Sequence, residues 1–272
     1  MKSFVAIIPA RYASTRFPGK PLAILGGKPV IQRVYEQALK VFENVYVATD
    51  DDRIYSAVQA FGGNVVMTSS DHKSGTDRCY EAYQKCGIET DVVVNIQGDE
   101  PFIQHKQVEA LISCFDSDAT DIATLVKPFE VTDGLERLEC PNSPKVVIDE
   151  KGYAVYFSRS VVPYLRGVEK NKWLESHTFY KHLGIYAYRA NLLETLTTLP
   201  QSPMEKAESL EQLRWLENGY KIKVGVTDIE TIGIDTPEEM INAAIEQGFD
   251  SAWESWEKTP RSKNHYFLAT YD

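Results

Sequence analysis

Between Arg11 and Lys20 the chain places three cations, Arg11, Arg16 and Lys20, in the string ARYASTRFPGK, where Gly19 lets the backbone approach a ligand closely. Guanidinium and ammonium groups beside main-chain N–H groups are what phosphate oxygens require. The string lacks the glycine spacing of a P-loop or a dinucleotide fingerprint, so neither P-loop hydrolysis nor NAD binding is supported. A solvated basic loop is the plain alternative. Because the whole chain has 29 Lys and Arg against 39 Asp and Glu, a net charge of −10, clustered cations favour a polyphosphate site.

Three further segments hold candidate groups. Asp99 and Glu100 follow the predicted strand Val92–Ile96 through Gln97 and Gly98. A hard cation such as Mg²⁺ takes one or two carboxylates together with phosphate oxygens, and Asp99 offers one; a solvent-facing turn acid is the simpler reading of this residue alone. Asp235 directly precedes Thr236-Pro237. An acid at a helix start is usually structural, worth about 0.3–1 kcal/mol against the helix dipole. In Asp71–Arg78, Ser74, Gly75 and Thr76 can present main-chain groups to a flat base, and Arg78 can reach a phosphate or a base edge. Simple N-capping accounts for Ser74 or Thr76 equally well.

These segments sit in an alternation of strand and helix patterns. Phe4–Ile8 is a continuous apolar run rich in β-branched residues, of the kind buried on both faces of a parallel sheet. Pro29 suits a helix start, and Val30, Ile31, Val34, Tyr35, Ala38 and Leu39 recur at helical spacing. Strands are predicted at Val45–Ala48, Asn64–Met67, Val92–Ile96 and Ile122–Val126. Helices are predicted around Ile54–Phe61, through Cys79–Cys86 and near Lys106–Cys114. Repeated β-α-β units imply an α/β fold with a mostly parallel sheet, whose ligands bind beyond the carboxyl ends of the strands.

After about residue 130 the alternation breaks. Val146–Ile148, a turn at Asp149–Gly152 and Tyr153–Ser158 read as a β-hairpin. Residues 163–180 read as an inserted loop or short helix, with strands at Leu183–Tyr188 and Ile222–Val226. Capping boxes mark helix starts at Ser202–Glu205 and Thr236–Glu239. The aromatic residues of the last 22 positions have no clear period and suggest a tail packed on the body or on a partner.

Composition excludes several classes. At 43% hydrophobic and 25% charged the chain is expected to be globular, and no apolar run nears the ~20 residues of a membrane span. The acidic balance disfavours broad nucleic-acid binding or membrane-surface binding. The first strand is broken too soon by Pro9 to be a secretion signal, so a cytoplasmic protein is expected. Four cysteines without C-x-x-C spacing and five histidines without H-x-x-x-H spacing argue against soft-metal chemistry.

Taken together, IPARYASTRFPGKPL, SGTDR, NIQGDEP, KVVIDEKGYAVYFSRS, KHLGIYAYR, SLEQLRWLENG and GIDTPEE resemble the 3-deoxy-manno-octulosonate (Kdo) cytidylyltransferases, in the family's order and from Ser3 to about residue 247. The resemblance implies a Rossmann-related, GT-A-like nucleotidyltransferase domain over 1–247, with a hairpin-bearing dimerisation subdomain at about 130–190 and a 248–272 extension of no assigned role. It implies CTP as donor, an acid sugar as acceptor, Mg²⁺ as cofactor and a homodimer. Arg11, Arg16 and Lys20 match the triphosphate loop; Ser74, Gly75 and Arg78 match the nucleotide-recognition segment, with Gln97 beside them. Asp99 and Asp235 match the magnesium ligands, which with Lys20 and Arg16 make the catalytic set. Gln97, Arg159, His182, Tyr186, Glu211 and Gln212 match the region holding the acid sugar, although Arg159 equally suits a dimer interface and His182 or Tyr186 a satisfied core.

The implied reaction is attack of the sugar's anomeric hydroxyl on the α-phosphorus of CTP, expelling pyrophosphate. No Ser-His-Asp or Cys-His arrangement suggests a covalent intermediate. A cytidylyltransferase for 8-amino-Kdo, sialic or pseudaminic acid is the nearest rival. A glycosyltransferase would usually carry D-x-D, absent at Asp99-Glu100, and an inactive regulator would be expected to lack one of the metal ligands or cations.

Overall fold

The computed structural model describes residues 2–230 and 233–249, in two compact units: the residues up to His105 together with those after 230, and Lys106–Glu230.

The first unit opens with β1 (Phe4–Ala10), followed by the two-residue strands β2 (Ile24–Leu25) and β3 (Lys28–Pro29), which pair with each other. Then come α1 (Val30–Ala38), β4 (Val45–Thr49), α2 (Asp52–Ala60), β5 (Val65–Met67), α3 (Gly75–Cys86) and β6 (Val92–Asn95). Strands β6, β1, β4 and β5 lie side by side in that order, all parallel, with Phe4 opposite Val92 and Ala6 opposite Val45. Val5–Ile8 and Val92–Val94 are fully buried, the double coverage their unbroken apolar runs predict. Because all four strands run the same way, the segments following β1, β4, β5 and β6 emerge at one edge. Pro29 belongs to β3 and the N-cap of α1 rather than to the helix itself.

Helix ends in this unit are capped as their sequences require. Ser74 and Asp77 close a capping box on α3, and Thr236 and Glu239 close another on the helix Pro237–Glu246. That helix buries Met240 and Ala244 with Phe17, Leu25, Val30 and Ile234, so the basic loop is anchored by Phe17 in the same apolar cluster that holds the chain beside Asp235.

The second unit centres on β7 (Ile122–Pro128), reached after α4 (His105–Ser113). It continues through α5 (Gly134–Glu139), the hairpin β8 (Lys145–Ile148) and β9 (Ala154–Ser158), α6 (Trp173–Ser176), β10 (Tyr180–Arg189), α7 (Ala190–Thr198), α8 (Pro203–Glu208), α9 (Gln212–Glu217) and β11 (Ile222–Val226). β7 pairs parallel with β11 and antiparallel with β10, and the hairpin joins β10 through β8. The hairpin therefore belongs to a larger body than the 130–190 stretch the sequence suggests. Residues 163–180 are mostly loop with the one-turn α6, whose buried Trp173 packs with Phe129, Leu138 and Phe179. The tail expected to pack on the body or a partner lies outside the described residues beyond Phe249.

One buried ion pair ties α8 to α9. Arg214 donates from Nε and Nη2 to the two oxygens of Glu205 at 2.8 and 2.5 Å, with both side chains at or below 10% exposure. Glu205→Ala is expected to destabilise the protein by about 3–5 kcal/mol, because it strands a buried guanidinium. Urea unfolding measures this, and a loss below ~1 kcal/mol would contradict it.

Candidate active site

At the carboxyl edge of the first unit's sheet lies a cleft of about 450 Å³. Its wall brings together Arg11, Arg16 and Lys20 after β1, Ser74, Gly75 and Arg78 at the start of α3, Gln97 and Asp99 after β6, and Asp235. The loop after β1 turns at Gly19, whose φ of +72° is the left-handed region that favours glycine, and Lys20 then begins a single 3₁₀ turn. The segment after β6 runs tight against β1: a Cβ on Gly98 would lie 2.6 Å from the Pro9 carbonyl oxygen. Only glycine lets Asp99 come this close to the basic loop.

Asp99 and Asp235 are 136 positions apart in the chain and converge here. The Ile234 N–H donates to the Asp99 carbonyl at 2.9 Å, joining the two segments through the main chain. The Glu239 carboxylate accepts from the N–H groups of Asp235 and Thr236 at 2.6 and 3.0 Å, fixing Asp235 ahead of its helix. The Lys20 ammonium then donates to Asp99 Oδ2 at 2.8 Å and to Asp235 Oδ1 at 3.2 Å, while Arg16 meets Asp235 Oδ2 at 3.0 Å. Two carboxylates thus share one compact cation, the arrangement that a hard divalent ion finishing its shell with phosphate oxygens and water would need. The residues fit Mg²⁺.

Some cleft residues are committed elsewhere. Arg78 is buried, giving Nη1 to Thr68 Oγ1 at 2.6 Å and Nη2 to Asp50 at 2.8 Å, so it braces the ends of β4 and β5 from the cleft wall. The Ser74 hydroxyl accepts from Asp77 N as the N-cap, which is the structural role the sequence leaves open for it. His72 also lines the cleft, with Nε2 against Glu81. The Glu81 carboxyl is held down at about 2 by Lys85, by the Ser69 N–H and by His72, against the opposing effect of its burial. His72 lies inside the segment the sequence singles out, but nothing in its spacing marks it as a site residue. Asp50 was missed too; the rule that marks Asp99, an acid just past a buried strand, applies to it equally.

The remaining sugar-region residues lie in the second unit. β10 is longer than its sequence suggests and carries an irregularity between His182 and Tyr186, whose rings stand 5.4 Å apart. His182 is buried, and desolvation pushes its imidazole down to about 3, so the ring is neutral. The Thr124 hydroxyl gives its proton to the Ile185 carbonyl at 2.7 Å and so accepts from His182 Nε2 at 2.9 Å, leaving Nδ1 as the acceptor. Burial raises the Tyr186 phenol above its usual range, and its ring packs edge-on with Trp215. Gln212 is 3% exposed, and its Nε2 has no hydrogen-bond partner among the described residues. A buried donor in that state is costly unless a ligand or water completes it. Glu211 stands at the N-cap of α9, partly exposed. Arg159 donates to the carbonyls of Glu208, Pro141 and Ser209, so its guanidinium clasps the chain leaving α8.

Comparisons with known proteins place the chain among cytidylyltransferases. Residues 5–222 match the family model described as cytidylyltransferase. The 3-deoxy-manno-octulosonate cytidylyltransferase of Phocaeicola vulgatus is 68% identical over 88% of this chain and 95% of its own. The 8-amino-3,8-dideoxy-manno-octulosonate cytidylyltransferase of Shewanella baltica is 46% identical over 86% of this chain and 94% of its own. The solved structure of CMP-2-keto-3-deoxy-manno-octonic acid synthetase complexed with CTP superposes with a TM-score of 0.82 at 43% identity, covering 90% of this chain and 98% of that one.

Proposed function

The chain belongs to the cytidylyltransferase family, and from that premise we propose that it transfers CMP from CTP to the anomeric hydroxyl of Kdo, giving CMP-Kdo and pyrophosphate for lipopolysaccharide synthesis. The observation that carries this reading is the ion cluster of Lys20, Arg16, Asp99 and Asp235 in one cleft. The greater identity to the Kdo enzyme than to the 8-amino enzyme favours Kdo as acceptor.

The obstacle is charge. The acceptor is an acid and the donor a triphosphate, and two like charges 4 Å apart repel by about 4 kcal/mol at an effective dielectric of 20. Arg11, Arg16 and Lys20 offset this by holding the triphosphate, and they stabilise the pyrophosphate as the bond between the α-phosphorus and the bridging oxygen breaks. Ser74, Gly75 and Gln97 line the part of the cleft assigned to the nucleotide, and Arg78 belongs to it while braced by Thr68 and Asp50. Mg²⁺ held by Asp99 and Asp235 would, when bound, neutralise phosphate charge and lower the pKa of the attacking hydroxyl. Gln97, Arg159, His182, Tyr186, Glu211 and Gln212 are assigned to the acid sugar, with Gln212 Nε2 as the donor most in need of a partner.

Tyr186→Phe is expected to raise the sugar's KM about 3- to 10-fold, the worth of one hydrogen bond, and to leave the KM for CTP unchanged. Initial rates with each substrate varied in turn check this; an unchanged sugar KM removes Tyr186 from the sugar site. Magnesium dependence, residence in the cytoplasm and a homodimer belong to the same proposal. Among the described residues, no helix is long and apolar enough to cross a membrane. The function is tested by pyrophosphate release with CTP across Kdo, 8-amino-Kdo, sialic acid and pseudaminic acid. Kdo should give the highest kcat/KM, and preference for another sugar would replace it as acceptor.

A further inference from the structure

Building on the nucleotide-transfer reading, we infer that Lys20 is a placeholder cation. Its ammonium holds the position between the two aspartates that a divalent ion would take, and the triphosphate must draw it away before metal binds well. Lys20 Nζ lies 2.8 Å from Asp99 Oδ2 and 3.2 Å from Asp235 Oδ1, and Arg16 covers the other oxygen of Asp235 at 3.0 Å. Two cations and two carboxylates make a neutral set, with Lys20 only 13% exposed at its centre. A divalent ion arriving alone meets an ammonium already seated on its ligands.

The backbone of Lys20 is held by hydrogen bonds on both sides. Lys20 N donates to the Phe17 carbonyl and Ala23 N to the Lys20 carbonyl, and Phe17 is buried, so the Cα stays in place. The four-carbon stem can still swing the ammonium from carboxylate to phosphate. Arg11, exposed on the same loop, pairs with no carboxylate among the described residues and offers the incoming triphosphate its first charge. Once phosphates take Lys20 and Arg16, the aspartates are left facing each other and the site becomes a strong cation ligand. Nucleotide and metal binding are therefore positively coupled, each strengthening the other by the same factor.

The test uses the nucleotide-free protein and Mn²⁺ alone, with unbound Mn²⁺ read by electron paramagnetic resonance. Lys20→Met is expected to bind Mn²⁺ about tenfold more tightly than the unaltered protein, while Lys20→Arg, which keeps the charge, stays near it. Equal or weaker Mn²⁺ binding by Lys20→Met would overturn the inference. A second measurement needs no folded variant at Lys20 beyond the one used for assignment. The ¹⁵N signal of the Lys20 ammonium, identified by its loss in Lys20→Arg, should move on adding CTP with EDTA and stay in place on adding Mg²⁺ alone. Movement with Mg²⁺ alone would also overturn it. If the chain did not use CTP, the nucleotide would leave the signal unmoved, and that would count against the proposed reaction, while the Mn²⁺ comparison would still decide the placeholder role.

Discussion

Asp99→Asn is expected to lower kcat by about 10²–10³-fold at saturating Mg²⁺, the usual cost of losing one preorganised group that faces charge developing in the transition state. The substitution is nearly isosteric, and the Asp99 carbonyl that accepts from Ile234 N is untouched, so the junction with the Asp235 segment should persist. CTP binding should be partly retained, because the cations on the loop after β1 remain. Steady-state kinetics with Mg²⁺ varied to saturation give the result. A near-normal kcat would remove Asp99 from the metal site and leave Asp235 as an ordinary helix-start acid.

Lys20→Ala should act on binding and turnover together, with kcat/KM for CTP falling by about 10²-fold or more. Lys20 is the group that reaches both carboxylates, and it is the least exposed of the ion-paired cations in the cleft after Arg78. Its ammonium is well placed to follow the charge that accumulates on the leaving pyrophosphate. The change in KM and the change in kcat separate its two roles. If both parameters stayed unchanged, the leaving-group assignment would be wrong.

The parts of the fold that read well from the sequence are those set by local pattern. β1, β4 and β6 are short apolar runs, buried on both faces, and the observed bounds differ from the expected ones by a residue or two. The capping boxes at Ser202 and Thr236 start helices where the side-chain chemistry demands. What pattern cannot show is decided by distant partners. β10 begins at Tyr180 rather than Leu183 because Tyr180 and Lys181 pair with Val146 and Lys145 on one side and with Pro128 and Lys127 on the other. The helix Ala190–Thr198 is rich in threonine, a weak helix former, and it is held by the burial of Leu193 and Leu196.

The site divides in the same way. The address of the basic loop follows from its place after a buried strand. The meeting of Asp99 with Asp235 is a non-local event, for which each residue taken singly gave the opposite reading; the family motifs supplied it. Lys20 as the bridge between them could not be read from spacing, since it depends on Gly98 allowing the loop after β6 against Pro9 and on Phe17 anchoring the loop after β1. Arg78 shows the converse. An arginine in a nucleotide-recognition motif is expected to reach a ligand; Arg78 lines the cleft and is also held from behind by Asp50, just past the end of β4, a contact that spacing does not show.

The most direct test of the whole account is ³¹P NMR of the protein incubated with CTP, Mg²⁺ and Kdo. The triphosphate resonances are expected to be replaced by one phosphodiester signal, from CMP joined to the sugar, and by pyrophosphate in equal molar amount, with neither formed when Kdo is omitted. Pyrophosphate formed without sugar, or CMP released in place of the diester, would show that water and not the sugar hydroxyl attacks the α-phosphorus, and would contradict it.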